Sequence, residues 1–140
     1  MPSVLLIDDE ETNRAAVVAL LRRDGIDADA AASVSEALAH LRHNEPDLVL
    51  LDLGMPRTDG LDLLDALMDE PRFENLRVVV FSGRNDPDTV AEARRLGARD
   101  FIEKGAPWEE VRRRIRAQLC AGPDASCADT HSAAVAQQAV

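Results

Sequence analysis

Five short apolar runs, at residues 4–7, 27–32, 47–51, 76–81 and 100–102, alternate with five helical patterns at about 12–23, 35–43, 60–69, 87–97 and 107–119. Such regular alternation predicts an α/β fold with a parallel sheet and helices on both of its faces. The first run, "VLLI", is continuously apolar, as suits a strand covered on both sides, whereas the second, "DADAAA", is weak. In the last helical segment Val111, Ile115 and Leu119 recur at i, i+4 and i+8, while Arg112, Arg113, Arg114 and Arg116 face elsewhere. Pro107 suits the first turn of that helix, and Gly25 and Gly97 fall where the first and fourth helices should stop.

With 140 residues, 46% of them apolar, the chain can fill one core. We expect one domain over residues 1–119. From Cys120 the Ala/Ser/Gln-rich stretch "CAGPDASCADTHSAAVAQQAV" has no sustained apolar period and reads as a disordered tail or linker, residues 120–140. Cys120, Cys127 and His131 match no standard metal spacing, so the cysteines read as surface thiols rather than ligands. With both cysteines near the end no disulfide framework is expected, and a cytoplasmic location fits best. No stretch can span a membrane, and a first strand starting almost at Met1 leaves no room for a signal peptide. A net charge of −10 argues against direct nucleic-acid binding.

The acids gather at the ends of apolar segments. Asp8, Asp9, Glu10 and Glu11 follow the first strand directly. Like charges this close need compensation, from solvent, from the start of a following helix, or from a bound divalent cation. In parallel α/β sheets, sites form at the carboxyl ends of strands. Those ends carry Asp8 and Asp9, then Asp52, then Ser82 and Gly83, then Lys104. Carboxylates are the hard oxygen ligands that Mg²⁺ prefers. An isolated Asp52 would read as a polar strand end or a helix cap. Beside two more carboxylates and an ammonium it can serve as a nucleophile toward a phosphoryl group. Lys104 is the only lysine among 16 basic residues, and a compact ammonium on a flexible stem acts as a movable point charge on phosphate.

The segments "LLIDDEE", "LVLLDLGMPRTDG", "VVVFSG" and "DFIEK", in this order and spacing, resemble the receiver domain of two-component response regulators, of the chemotaxis-regulator type, over about residues 3–119. The resemblance implies a three-layer flavodoxin-like (βα)5 fold with strand order 2-1-3-4-5. It implies that Asp52 accepts a phosphoryl group from a histidine kinase or histidine phosphotransfer protein. Asp8, Asp9, Asp52 and the backbone carbonyl of Gly54 would hold Mg²⁺, with Mn²⁺ as an alternative. Ser82, with Gly83 beside it, would hydrogen-bond the phosphoryl group, and Lys104 would pair with it. Phe101 matches the switch aromatic, which would turn inward as Ser82 moves toward the phosphoryl group. The surface of helix 4, strand 5 and helix 5 would then signal to a downstream protein of unknown identity, and a weak homodimer through helices 4 and 5 is allowed. Apart from self-directed phosphoryl transfer and autodephosphorylation, no enzyme activity is expected.

Three positions depart from the family pattern. Gly105 stands where the family usually has a proline after the lysine, commonly in a cis bond. Without proline a cis bond would cost about 2.5–4 kcal/mol, so a trans Lys104–Gly105 bond is expected. Gly54 brings no side chain to shield a phosphoryl group, and Arg84 could steady or guard it. Among rival readings, a haloacid-dehalogenase-type phosphatase usually carries a second acid where Gly54 stands. A flavodoxin-like flavin carrier would need a Ser/Thr-rich phosphate loop in place of the acidic one. A pseudo-receiver serving interaction alone is disfavoured, because every reactive position is filled.

Overall fold

The computed structural model describes residues 2–54 and 60–120. Five strands, β1 (Ser3–Ile7), β2 (Asp27–Ala31), β3 (Leu48–Leu51), β4 (Arg77–Ser82) and β5 (Asp100–Glu103), form one parallel sheet in the order β2-β1-β3-β4-β5. The helices between them are α1 (Glu11–Arg23), α2 (Val34–His43), α3 (Gly60–Asp69), α4 (Pro87–Leu96) and α5 (Trp108–Leu119). The strand order and the three-layer architecture are those expected. A 3-10 turn at Pro71–Phe73 was not expected.

The central strands are apolar throughout because both of their faces are covered. Leu5 and Ile7 of β1 join Val49, Leu51, Val78 and Val80 in a core packed against α2, α3 and α4. Val4 and Leu6 join Leu48, Leu50, Val79 and Phe81 in a second core packed against α1 and α5. Burying one such side chain contributes about 1.5–3 kcal/mol. The edge strand β2 buries only Ala28 and Ala31, which accounts for its weak apolar signal.

Helix ends follow local chemistry. Ser33 Oγ accepts from the Glu36 N–H at 3.2 Å, and Asp86 Oδ2 accepts from the Thr89 N–H at 3.0 Å, capping α2 and α4. Gly97 closes α4 at φ 118°, a left-handed conformation that a side chain would strain. Gly60 serves a different need. A Cβ there would lie 2.8 Å from the Leu53 Cα, so α3 starts against the backbone of the turn that follows β3. Two expectations are corrected. Pro107 stands at the N-cap of α5, one residue before the helix starts at Trp108, because its ψ of 145° is not helical while its carbonyl already accepts from the Val111 N–H at 3.1 Å. Cys120 is disulfide-bonded rather than a thiol. Residues 121–140, including Cys127 and His131, lie outside the described residues, as does Pro56. No described helix is long and apolar enough to cross a membrane.

Candidate functional site

All five strands point the same way, so their carboxyl ends share one rim. Ile7 pairs with Leu51, and each strand's ladder extends one bond further. The Asp8 N–H donates to the Ala31 carbonyl and the Asp52 N–H to the Ile7 carbonyl, both at 3.0 Å. Two carboxylates are thereby fixed side by side at the end of the sheet. Asp8 is fully buried and Asp52 nearly so, while Asp9 is exposed. Oxygen atoms of all three lie within 4.8 Å of one another.

Lys104 supplies the compensating charge. Its backbone N–H continues the β4–β5 ladder to the Ser82 carbonyl at 3.2 Å, and its four-carbon stem spans the end of β4. The ammonium reaches Asp8 Oδ2 at 2.8 Å and Asp52 Oδ2 at 2.9 Å. The other carboxylate oxygens are also partnered. Asp8 Oδ1 accepts from the Glu10 N–H at 2.9 Å, and Asp52 Oδ1 from the Gly54 N–H at 2.9 Å. Asn13 Nδ2 donates to Asp8 Oδ2 at 2.5 Å, and Arg14 donates to the Asp8 carbonyl at 2.9 Å.

Burial pushes the Asp8 carboxyl up, but the bonds from Lys104, the Glu10 N–H and Asn13, with the Lys104 charge, outweigh it and hold the group below 3.8. Burial pulls Lys104 down, but its bonds to Asp8 and Asp52 outweigh that and hold it above 10.5. Both groups are therefore charged at neutral pH. Asp8 and Asp52 share this one ammonium, and with Asp9 beside them the cluster keeps negative charge to spare. The donor set fits Mg²⁺. Mg²⁺ takes hard oxygen ligands, and three carboxylate oxygens within 4.8 Å of one another are close enough to be drawn to one small ion.

The structure brings Asp8, Asp9, Asp52 and Lys104 together, with Ser82 one strand away. Ser82 is fully buried, and its Oγ accepts from the Arg84 N–H at 3.1 Å. Gly83 and Gly105 each leave open space where a Cβ would stand. The Arg84 guanidinium turns to Asp86, 3.8 Å away. Phe101 is already buried in the core against α3 and α4, and its carbonyl accepts from Arg114 at 3.1 Å. The Lys104–Gly105 bond is trans, since the described residues hold no cis peptide. Sequence reasoning missed Asn13. The available signal was a poor helix former in the first turn of α1, five residues after Asp8.

Residues 4–116 match the response regulator receiver domain family. Transcriptional regulatory protein AfsQ1 of Streptomyces coelicolor is 34% identical over 122 residues, covering 87% of this chain and 53% of that protein. Response regulator Rre1 of Synechocystis is 33% identical over 132 residues, covering 94% of this chain and 57% of that protein. The chain thus spans about half the length of these curated relatives. A response regulator of solved structure from Thermotoga maritima is 26% identical with a TM-score of 0.78, covering 86% of this chain and 99% of that one. The chain belongs to the response regulator receiver domain family of two-component signal transduction.

Proposed function

We propose that this receiver domain is a phosphoacceptor switch in which Asp52 takes a phosphoryl group from a histidine kinase or histidine phosphotransfer protein. The observation that carries the reading is the Lys104 ammonium, 2.8 and 2.9 Å from two buried carboxylates on neighbouring strands. In the transfer, an Asp52 oxygen bonds to phosphorus as the P–N bond to the donor imidazole breaks. The electron pair goes to that nitrogen, which takes a proton from solvent. Asp8, Asp9, Asp52 and the Gly54 carbonyl would hold Mg²⁺, or Mn²⁺ in its place, and the bound ion supplies charge neutralisation at the phosphoryl oxygens.

Lys104 then moves from the carboxylates to a phosphoryl oxygen, and the Ser82 hydroxyl donates to another. Gly83 leaves the approach open, and Gly54 and Arg84 modulate how long the aspartyl phosphate lasts. Phe101 couples the site to the face formed by α4, β5 and α5. That face engages a downstream protein partner or a second copy of the chain. Residues 1–119 are the switching unit and 120–140 a tail or linker, in a cytoplasmic signalling protein that binds no nucleic acid through this domain.

Incubation with a small phosphodonor and Mg²⁺ should add one acid-stable, base-labile phosphoryl group, seen by intact mass. Asp52→Asn should remove that uptake with the fold intact, and equal labelling of this variant would move the acceptor elsewhere. A second reading, an interaction module that is never phosphorylated, is favoured by the internal donor already present on every oxygen of Asp8 and Asp52. Absence of uptake in wild type would select it.

A further inference from the structure

Asp8 Oδ2 accepts two side-chain donors of different character: the Lys104 ammonium at 2.8 Å and the Asn13 amide at 2.5 Å. Deepening the phosphoacceptor reading, on which it rests, we propose that Asn13 is the positioning residue for Asp8. It holds the carboxylate in its metal-binding orientation when Lys104 departs.

The argument is one of charge and attachment. A divalent cation entering among three carboxylates repels the ammonium that already bridges two of them. Lys104 must therefore loosen from Asp8, and its flexible stem allows it. Asn13 carries no net charge, so it has no such reason to leave. The oxygen it grips stays partnered, and Oδ1 stays bound to the Glu10 N–H. Asn13 is also mounted firmly. It sits in the first turn of α1, and the next residue, Arg14, grips the Asp8 carbonyl at 2.9 Å. Residue 8 is thus held at its backbone and at its carboxylate by consecutive residues of one helix. Outer partners of this kind fix the orientation of a metal ligand, and losing one weakens metal affinity by roughly 10–100-fold.

The test is calorimetric titration of MgCl₂ into the 140-residue chain, wild type against Asn13→Leu, which keeps the branched outline and removes the donor. The expected result is at least about tenfold weaker Mg²⁺ binding. Asn13→Gln, which keeps the amide donor, should recover part of the affinity. Unchanged affinity in Asn13→Leu would overturn the inference. Where that variant folds poorly, the wild-type Asn13 side-chain amide NMR signals decide. They should keep hydrogen-bonded positions at saturating Mg²⁺, and a move to free-amide positions would overturn the role. Absence of Mg²⁺ binding by wild type would instead sink the phosphoacceptor reading and this inference with it.

Discussion

Asp8 and Asp24 are two carboxylates almost shut off from water, and their surroundings differ in kind. Asp24 follows α1 and has a side chain 9% exposed. Its Oδ2 accepts from the Trp108 indole at 2.9 Å, while Arg23 and Arg112 stand 3.6 Å from Oδ1 and Arg116 grips its carbonyl at 2.7 Å. Positive charge there is abundant and is carried by arginines, whose planar forks hold a fixed geometry. Asp24 joins α1 to α5 as a permanent link. At the rim the ratio reverses, with one lysine for Asp8 and Asp52 together. An acid surrounded by excess cations has nothing left to bind. Two acids sharing one movable cation keep negative charge unbalanced, which is what the proposed phosphoacceptor role requires.

The sharpest way to break this contrast is to remove each centre's own partner. Lys104→Met leaves two buried carboxylates without a counterion, and stability at neutral pH without metal should fall by about 3 kcal/mol. Added Mg²⁺ should restore much of it, since binding to the native state alone is stabilising. Asp24→Ala should cost less, about 1–2 kcal/mol, by orphaning the indole N–H. Mg²⁺ should restore none of that loss. Urea unfolding of both variants with and without Mg²⁺ measures this, and equal rescue would erase the distinction.

Acid titration separates the Asp24 link further. Burial raises its carboxyl, but the Trp108 hydrogen bond and the charges of Arg112, Arg23 and Arg116 outweigh this and hold it below 3.8. A carboxyl lowered on folding contributes stability that is complete above its unfolded value and is lost as pH falls through the folded one. The stability advantage of wild type over Asp24→Asn should therefore be constant above about pH 4 and shrink below pH 3.8. A gap that persists at pH 2 would show that packing, not charge, holds the link. The smallest effect is expected for Trp108→Phe, which keeps the apolar contact with the second core and loses one hydrogen bond, worth about 0.5–1 kcal/mol. Its Mg²⁺ affinity should match wild type.

The two centres also differ in how far the sequence reveals them. Asp8, Asp52, Ser82 and Lys104 follow apolar runs directly, so strand direction alone gathers them on one rim. Lys104 stands out further as the only lysine. Even weak β2 could be placed, because the alternation demanded a strand between two helices. Asp24 carried no such mark. Its partners Trp108 and Arg116 are 84 and 92 residues away, and nothing local pairs them. Asn13 was hidden for another reason, since a polar residue at the start of a helix is ordinary until its reach back to Asp8 is seen. The turn at Pro71–Phe73 is too short to leave a periodic signal.

Gly60 bears on how this chain can diverge. An added methyl would stand 2.8 Å from the Leu53 Cα and as close to Leu53 Cδ2, and the backbone part of that contact cannot swing aside. Position 60 is thus closed to every other amino acid unless α3 parts from the turn after β3. Gly83 and Gly105, where a Cβ meets nothing within 4 Å, are open to drift. A saturation library should therefore show intolerance at a residue without chemistry and latitude beside the candidate site. Variation near that site can then alter chemistry without disturbing the architecture that aims Asp52.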